Sequence, residues 1–465
     1  MSARWVITAD MVLKTAAHFG GAGDGRVDME ILRDLKEGCP LLPGTSLAGS
    51  LRSYLSDVLG GYYKEEHEDV SLLFGASRRD EQGTQSSLIA FDSLGKLPDG
   101  MTEEIRDGVA LEQKTGTAKP HKKFDLELIP PGTIFPLCLE VIIGKPEEES
   151  HLLGLLLKVL EGLTKGDISL GARRSRGLGS VIACNWRAVR YDLTAPEGWL
   201  NWLTSDPLLP IADDVLNGCV LPKEVFEGAY QSIKWKEIED KRNRLVVDAE
   251  LFFPAGVLVR SPARTPDAPD NVHLISGECS VLPGTSLAGV LRNRALKIAR
   301  IVRSGKDDAE AWVNSLFGSP TEADPEDKHF ASRLRISESV VMEGTRVRPS
   351  RIRLDRFTQG VAKGALFDEE PDYYGKARMR FELREPKPGE TGLLLLLLKD
   401  LLSGDLYIGG AAAVGRGAVN GNASVCFVDG KKAEISSKLE ISGEAQEFFP
   451  KKITEFHEEV LYEPA

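Results

Sequence analysis

The apolar positions fall into a short list of patterns, and the list occurs twice. A strand-like alternation at Val6–Lys14 is followed by a polar loop, then by Leu47, Leu51 and Leu55 at helical spacing. An alternating stretch at Ser87–Phe91, a polar segment at Val109–Asp125 and a further strand at Phe135–Ile143 come next. A leucine-rich helix at Leu152–Leu160, a glycine-rich turn and a last strand at Gly179–Trp186 complete the set. The second set runs through Leu245–Phe253, a helix beginning near Pro283, Arg333–Ser337, a polar segment at Arg346–Phe367, Arg378–Leu383, Leu393–Leu402 and Gly417–Phe427. Each set reads β-α-β-β-α-β, the order of a ferredoxin-like domain.

Identity supports the periodicity. LPGTSLAG stands at Leu42–Gly49 and again at Leu282–Gly289, an offset of 240, with Leu-Arg following at Leu51-Arg52 and Leu291-Arg292. Leu73-Phe74-Gly75 recurs as Leu316-Phe317-Gly318, and GDISLGARRSRGLGSV from Gly166 recurs as GDLYIGGAAAVGRGAV from Gly404. Offsets of 238 to 243 make the copies collinear, so duplication and fusion is the simple account. The expected organisation is a first domain over 1–190, a structured linker over 191–243, a second domain over 244–430 and a C-terminal extension over 431–465 carrying a peripheral helix. The linker holds four prolines and three tryptophans, which suits a packed segment rather than a flexible tether.

Composition narrows the class. At 465 residues the chain exceeds what one core usually serves, and 42% hydrophobic with 28% charged residues is ordinary for a globular protein. No signal-peptide pattern opens the sequence, and the longest apolar run is the six leucines Leu393–Leu398, too short to span a bilayer. A cytoplasmic protein with no membrane partner is expected. The six cysteines and seven histidines are scattered, without metal-ligand spacing. The net charge of −12 argues against coating nucleic acid through bulk charge. The acidic residues, however, concentrate at 64–69, 147–150, 321–327 and 368–372, which leaves the glycine-rich turns locally basic.

Candidate chemistry follows from the recurring motifs. PGTS places a glycine and two hydroxyls at a helix start: Thr45 and Ser46 in the first copy, Thr285 and Ser286 in the second. Either hydroxyl can cap the helix, and free N–H groups there can hold a phosphate. Arg173, Arg174 and Arg176 sit among glycines, and Arg416 occupies the second turn. Arg52 and Arg292 can each reach a phosphate or pair with a carboxylate. A loop aspartate precedes each LPG motif, and a two-residue gap sets Asp28 opposite Asp270. Alone, such an aspartate is better read as a turn former or a solvated charge, and the recurrence raises the catalytic reading. His18, before Gly20-Gly21, can act as base or stacking platform. No nucleophilic triad, GxxxxGK[ST] or strand-borne GxGxxG is present, so nucleotide hydrolysis is not indicated.

These motifs resemble the RAMP superfamily of CRISPR-associated proteins, and most of all the backbone subunit of type III effector complexes. That family carries a His-x-Gly-Gly loop, an Asp a few residues later, a PG[ST]S[LI]xGxLR turn, an LFG, an LDRFTGGA-x-x-GALF-like segment and an SRG-x-G loop. His18–Gly21, Asp28, Pro43–Arg52, Leu73–Gly75 and Ser175–Gly179 match in the first copy; Pro283–Arg292, Leu316–Gly318 and LDRFTQGVAKGALFDEEP over Leu354–Pro371 match in the second. A single chain with two copies is similar to the fused subunits of type III-D-like systems.

The resemblance implies α+β architecture, two tandem ferredoxin-like (RRM-like) RAMP domains with thumb hairpins at 109–125 and 352–366. It implies guide RNA and target RNA as ligands and neighbouring RAMP subunits as partners. RNA contact would then involve His18, Thr45, Ser46, Arg52, Lys114, Arg173, Arg174, Arg176, Thr285, Ser286, Arg292, Arg356, Phe357, Lys363 and Arg416. Asp28 and Asp270 would be catalytic and hold a divalent metal, Mg2+, for cleavage of the target. The first copy departs at the thumb, where ALEQKTGTAK stands, and the second at Ile275-Ser276, opposite Arg33-Asp34. A non-catalytic guide-RNA scaffold and a guide-processing endonuclease are the competing readings.

Overall fold

The computed structural model describes residues 1–21, 25, 27–76, 83, 85–111, 118–205, 221–262, 269–302, 309–319 and 330–461. It divides into two compact units. The first is Met1–Gly108, Phe124–Arg174 and Leu178–Arg242; the second is Val109–Lys123, Ser175–Gly177 and Asn243–Ala465.

In the first unit, strands β1 (Ala3–Leu13), β2 (Leu88–Ala90), β3 (Ile134–Ile143) and β4 (Val181–Asp192) form an antiparallel sheet in the order β2-β3-β1-β4. Helix α1 (Gly44–Gly60) connects β1 to β2, and α2 (Pro146–Lys165) connects β3 to β4. The chain order is therefore β-α-β-β-α-β, with the strands ranked 4-1-3-2 across the sheet.

The second unit repeats the plan. Strands β5 (Arg244–Phe252), β6 (Leu334–Ile336), β7 (Lys376–Arg384) and β8 (Asn420–Cys426) pair as β6-β7-β5-β8, with α3 (Gly284–Val302) and α4 (Glu390–Leu402) as the connecting helices. The duplication holds at the level of register. Met11 lies between Phe135 and Ala183, and Leu251, 240 residues on, lies between Ala377 and Gly421.

The leucine-rich helices show why each repeat needs more chain than its sheet. In α4, Leu393, Leu394, Leu395, Leu397, Leu398, Leu401 and Leu402 are all buried, so the helix is apolar on nearly every side. One side packs on the sheet, and the helix Phe448–Leu461 lies along it on another. Gly392 allows the close approach, since a Cβ there would stand 2.1 Å from the Lys452 carbonyl. Phe449 and Phe456 of that helix join the core of the second unit. The C-terminal extension is thus core and not peripheral. In the first unit α2 is likewise buried, and the helix Pro222–Ala229 supplies Phe226 to the same core, edge-on to Trp5 at 5.5 Å. Linker and tail do the same work, each covering the second helix of the repeat it follows. Burying each such side chain contributes about 1.5–3 kcal/mol, more than either exposed helix could recover from solvent.

Strands outside the two central sheets pair as two hairpins. Glu104–Leu111 pairs with Ala118–Leu128, and Ser350–Leu354 with Val361–Glu370. Among the described residues no helix is long and apolar enough to cross a membrane.

Candidate nucleic-acid interface

The two loop aspartates occupy the same place. In the first unit Met29 bridges Leu126 in parallel, and the Asp28 carboxylate (Oδ2) accepts the Asp125 N–H at 2.9 Å. In the second, Asn271 pairs with Glu369 in parallel, and the Asp270 carboxylate accepts the Asp368 N–H at 3.1 Å. Both side chains are solvent-exposed. Each aspartate therefore fastens its loop to the returning strand of its own hairpin.

The first loop is tied more firmly. The Arg33 guanidinium donates to both Glu127 carboxylate oxygens at 3.1 and 2.8 Å and lies 3.1 Å from Glu103. Glu127 also accepts the Ile31 N–H at 3.0 Å. Burial pushes the Glu127 carboxyl up, but the Arg33 hydrogen bonds, the Ile31 N–H and the Arg33 charge outweigh it and hold it below the usual carboxylate range. Ile275 stands at the Arg33 position in the second unit, which removes this clamp.

His18 does not face solvent. It is 3% exposed, and its Nδ1 donates to the Glu127 carbonyl at 2.9 Å. Its own carbonyl accepts the Ala172 N–H, as the Leu258 carbonyl accepts the Gly410 N–H in the second unit. Leucine fills the equivalent site, so the position is an interior one. A role for His18 in touching RNA is corrected to one of shaping the loop.

The PGTS turns are also corrected. Pro43 is the N-cap of α1, and no side chain caps it; Thr45 and Ser46 lie exposed in the first turn. The Gly44 N–H is taken by the Asp92 carboxylate at 2.7 Å, which places a resident anion at that helix start. The glycine serves packing: a Cβ on Gly44 would lie 2.1 Å from the Ala90 carbonyl, and one on Gly284 2.5 Å from the Ile336 carbonyl. Thr285 is exposed and Ser286 half-buried. Arg52 forms a bidentate pair with Glu66 at 2.8 and 2.5 Å, the carboxylate alternative. Arg292 instead donates to the Asn314 side chain, and burial lowers its pKa.

The arginines of the glycine turns separate into different environments. Arg174 is half-buried, with no polar partner among the described residues. Arg176 belongs to the second compact unit, where it donates to the Phe317 carbonyl at 2.7 Å and the Ser332 hydroxyl at 3.2 Å. Burial, with Arg292 nearby, pushes it down to about 10. Arg416 is 2% exposed and paired with Glu369, itself 1% exposed. Arg176 thus spends N–H groups on protein oxygens, and the burial and pairing of Arg416 correct its assignment to RNA.

The hairpin of the second unit ends in a preformed turn. Asp355 Oδ1 accepts the N–H groups of Phe357 and Thr358 at 3.0 and 2.8 Å and the Thr358 hydroxyl at 3.0 Å. These bonds hold the Asp355 carboxyl below its ordinary range. They leave Phe357 94% exposed, with Arg356 and Lys363 also in solvent. Lys114 lies outside the described residues.

The sequence profile of the RAMP superfamily matches residues 10–182 and again 264–420, well over half of the chain. The chain belongs to the RAMP superfamily. It is similar to a protein of Mycobacterium tuberculosis (strain ATCC 25618 / H37Rv) named CRISPR system Cms endoribonuclease Csm3. That likeness is 28% identity over 209 residues, covering 39% of this chain and 87% of the relative. A protein of the same name from Streptococcus thermophilus is 30% identical over 145 residues, 26% of this chain and 66% of the relative.

Both RAMP repeats therefore present an exposed aspartate at the foot of a hairpin, and they differ in what surrounds it. In the first repeat Arg173 stacks on Phe124, its guanidinium carbon 4.5 Å from the ring centre. In the second, Ala411 stands in its place, at the same left-handed backbone angle: φ is 62° there and 56° at Arg173. Sequence reasoning groups Arg173, Arg174 and Arg176 as one basic turn. The separation between them depends on partners well beyond the turn, such as Phe124, Met29 and Phe317, which no local pattern reports.

Proposed function

We propose that this RAMP protein is a guide-RNA-binding backbone subunit of a CRISPR type III effector complex and that its loop aspartates support cleavage of guide-paired target RNA. The observation that carries this reading is the repeated clasp, Asp28 on Asp125 and Asp270 on Asp368, at the base of each hairpin. The relatives' name, endoribonuclease, agrees with it. The 4-1-3-2 strand order supports a ferredoxin-like, RRM-like core, and the exposed Phe357 tip supports a thumb that wedges between bases. Guide RNA, target RNA and neighbouring RAMP subunits are the partners.

The chemistry needs little from the protein. The 2′-oxygen of one nucleotide attacks the adjacent phosphorus; that P–O bond forms as the bond to the 5′-oxygen breaks. The 2′ proton is lost and the 5′-oxygen gains one, leaving a 2′,3′-cyclic phosphate and a 5′-hydroxyl. A protein accelerates this by imposing in-line geometry and assisting proton removal. With Oδ2 anchored on a backbone N–H, the Asp28 carboxylate keeps a fixed position and a second oxygen for the 2′-hydroxyl. Among the described residues no three carboxylate, imidazole or thiolate groups gather to hold an ion. A lone exposed aspartate fits Mg2+ that also takes phosphate oxygens and water; so held by Asp28 or Asp270, it would neutralise phosphate charge.

A scaffold without activity is the second reading, and one observation favours it: each aspartate spends an oxygen on the hairpin backbone, as a purely positional residue would. The two separate in a guide-loaded complex given complementary labelled RNA and Mg2+. Asp28→Ala with Asp270→Ala is expected to abolish this subunit's cuts while target binding persists. Unchanged cuts would leave only the scaffold.

A further inference from the structure

Several half-buried arginines of the first unit are neutralised inside the protein; Arg173, like the adjacent Arg174, is not. Arg4, Arg33, Arg52, Arg190 and Arg242 each pair with a carboxylate. Arg173 has none among the described residues; its contacts are the Phe124 ring and the Met29 sulfur, 3.9 Å from Nη2. Burial lowers its pKa, as expected of a cation stripped of water and given no counter-ion. Met29 follows Asp28, and Phe124 precedes Asp125, whose N–H the Asp28 carboxylate accepts. The guanidinium is thus one residue removed, on both segments, from the Asp28–Asp125 clasp.

The backbone adds a second observation. Arg173 holds φ at 56°, a region where a side chain costs about 1–2 kcal/mol. Ala411 holds 62° at the equivalent point, so the fold requires this angle in both repeats. Glycine would relieve it, yet the first repeat carries its largest cationic side chain there.

We propose that Arg173 is a catalytic residue of the first repeat alone, its guanidinium holding the scissile phosphate beside Asp28 and making the first loop the faster of the two. This rests on the endoribonuclease reading above. Stacking on Phe124 fixes the plane of the guanidinium and leaves its edge N–H groups for two phosphate oxygens. Charge grows on those oxygens as the 2′-oxygen adds, so the contact is stronger in the transition state than in the ground state. Ala411 offers nothing comparable.

The test uses the guide-loaded complex and a labelled complementary RNA, in single turnover with complex in excess. Asp28→Ala first defines which cuts depend on the first loop. Arg173→Ala is expected to slow those cuts about 100- to 1000-fold, with target affinity changed far less and the Asp270-dependent cuts at their normal rate. Arg173→Lys should recover part of the rate, because it keeps the charge but not the fork. Ala411→Arg should speed the second set. Asp28-dependent cuts at wild-type rate in Arg173→Ala would overturn the proposal, as would equal slowing of both sets with loss of guide. If no cut depends on Asp28, the endoribonuclease reading falls, and phosphate contact is judged by binding. Arg173→Ala should then still lower the slope of log affinity for target RNA against log salt by about 1; an unchanged slope overturns it.

Discussion

Where the first RAMP repeat sets Leu126 and Leu178 in one apolar cluster with Ala16 and Leu128, the second sets Glu369 against Arg416. The backbone around the two pairs is the same. Leu126 bridges Met29 as Glu369 pairs with Asn271, and Gly179 donates to the Ala16 carbonyl as Gly417 donates to the Gly256 carbonyl. Arg260 and Arg351 add further charge, 3.5 and 3.4 Å from Glu369. One duplicated frame therefore accommodates either an apolar contact or a buried ion pair. The lesson concerns function as much as packing: an arginine in a glycine-rich turn is not thereby an RNA ligand, as Arg416, paired with Glu369 inside the protein, shows.

Breaking this pair should give the largest effect. Glu369→Leu leaves Arg416 buried without its counter-ion and should destabilise the second unit by about 3–5 kcal/mol in urea unfolding. Adding Arg416→Leu recreates the leucines of the first repeat and should restore most of the loss. Equal losses in single and double variants would mean that the two side chains are not coupled.

The PGTS glycines come next. Gly44→Ala and Gly284→Ala drive a methyl against the Ala90 and Ile336 carbonyls respectively, and each should cost about 1–3 kcal/mol. A loss much smaller in either repeat would show that its turn relaxes and that close packing is not why glycine is there.

The smallest effect distinguishes the loops by pH. The folded Glu127 carboxyl lies below its usual 4.5, so its contribution is complete above that pH and is lost as pH falls through the lowered value. Amide exchange at Ile31 should therefore quicken in acid, by a change on the order of 1 kcal/mol. Arg33→Met should remove most of that dependence, and the second loop, with Ile275, should lack it. Matching acid profiles in both loops would contradict the clamp.

Much of the fold is legible in the chain because it is local. Leucine spacing marks the helices, glycine clusters mark the turns, and the 240-residue offset with a two-residue gap sets Asp28 opposite Asp270. What is not legible depends on distant partners. Arg52 finds Glu66, Arg416 finds Glu369 across 47 residues, and Arg173 reaches Met29 across 144. The matching roles of linker and tail are hidden as well, since Pro222–Ala229 and Phe448–Leu461 share no sequence pattern and agree only in which helix they cover.

The measurement that bears most directly on two unequal copies is a map of cut positions on labelled target RNA, made with wild-type, Asp28→Ala and Asp270→Ala complexes. Two separable sets of cuts are expected, one lost with each variant, the Asp28 set forming faster. Cuts that survive both substitutions, or one set lost equally with either, would contradict it.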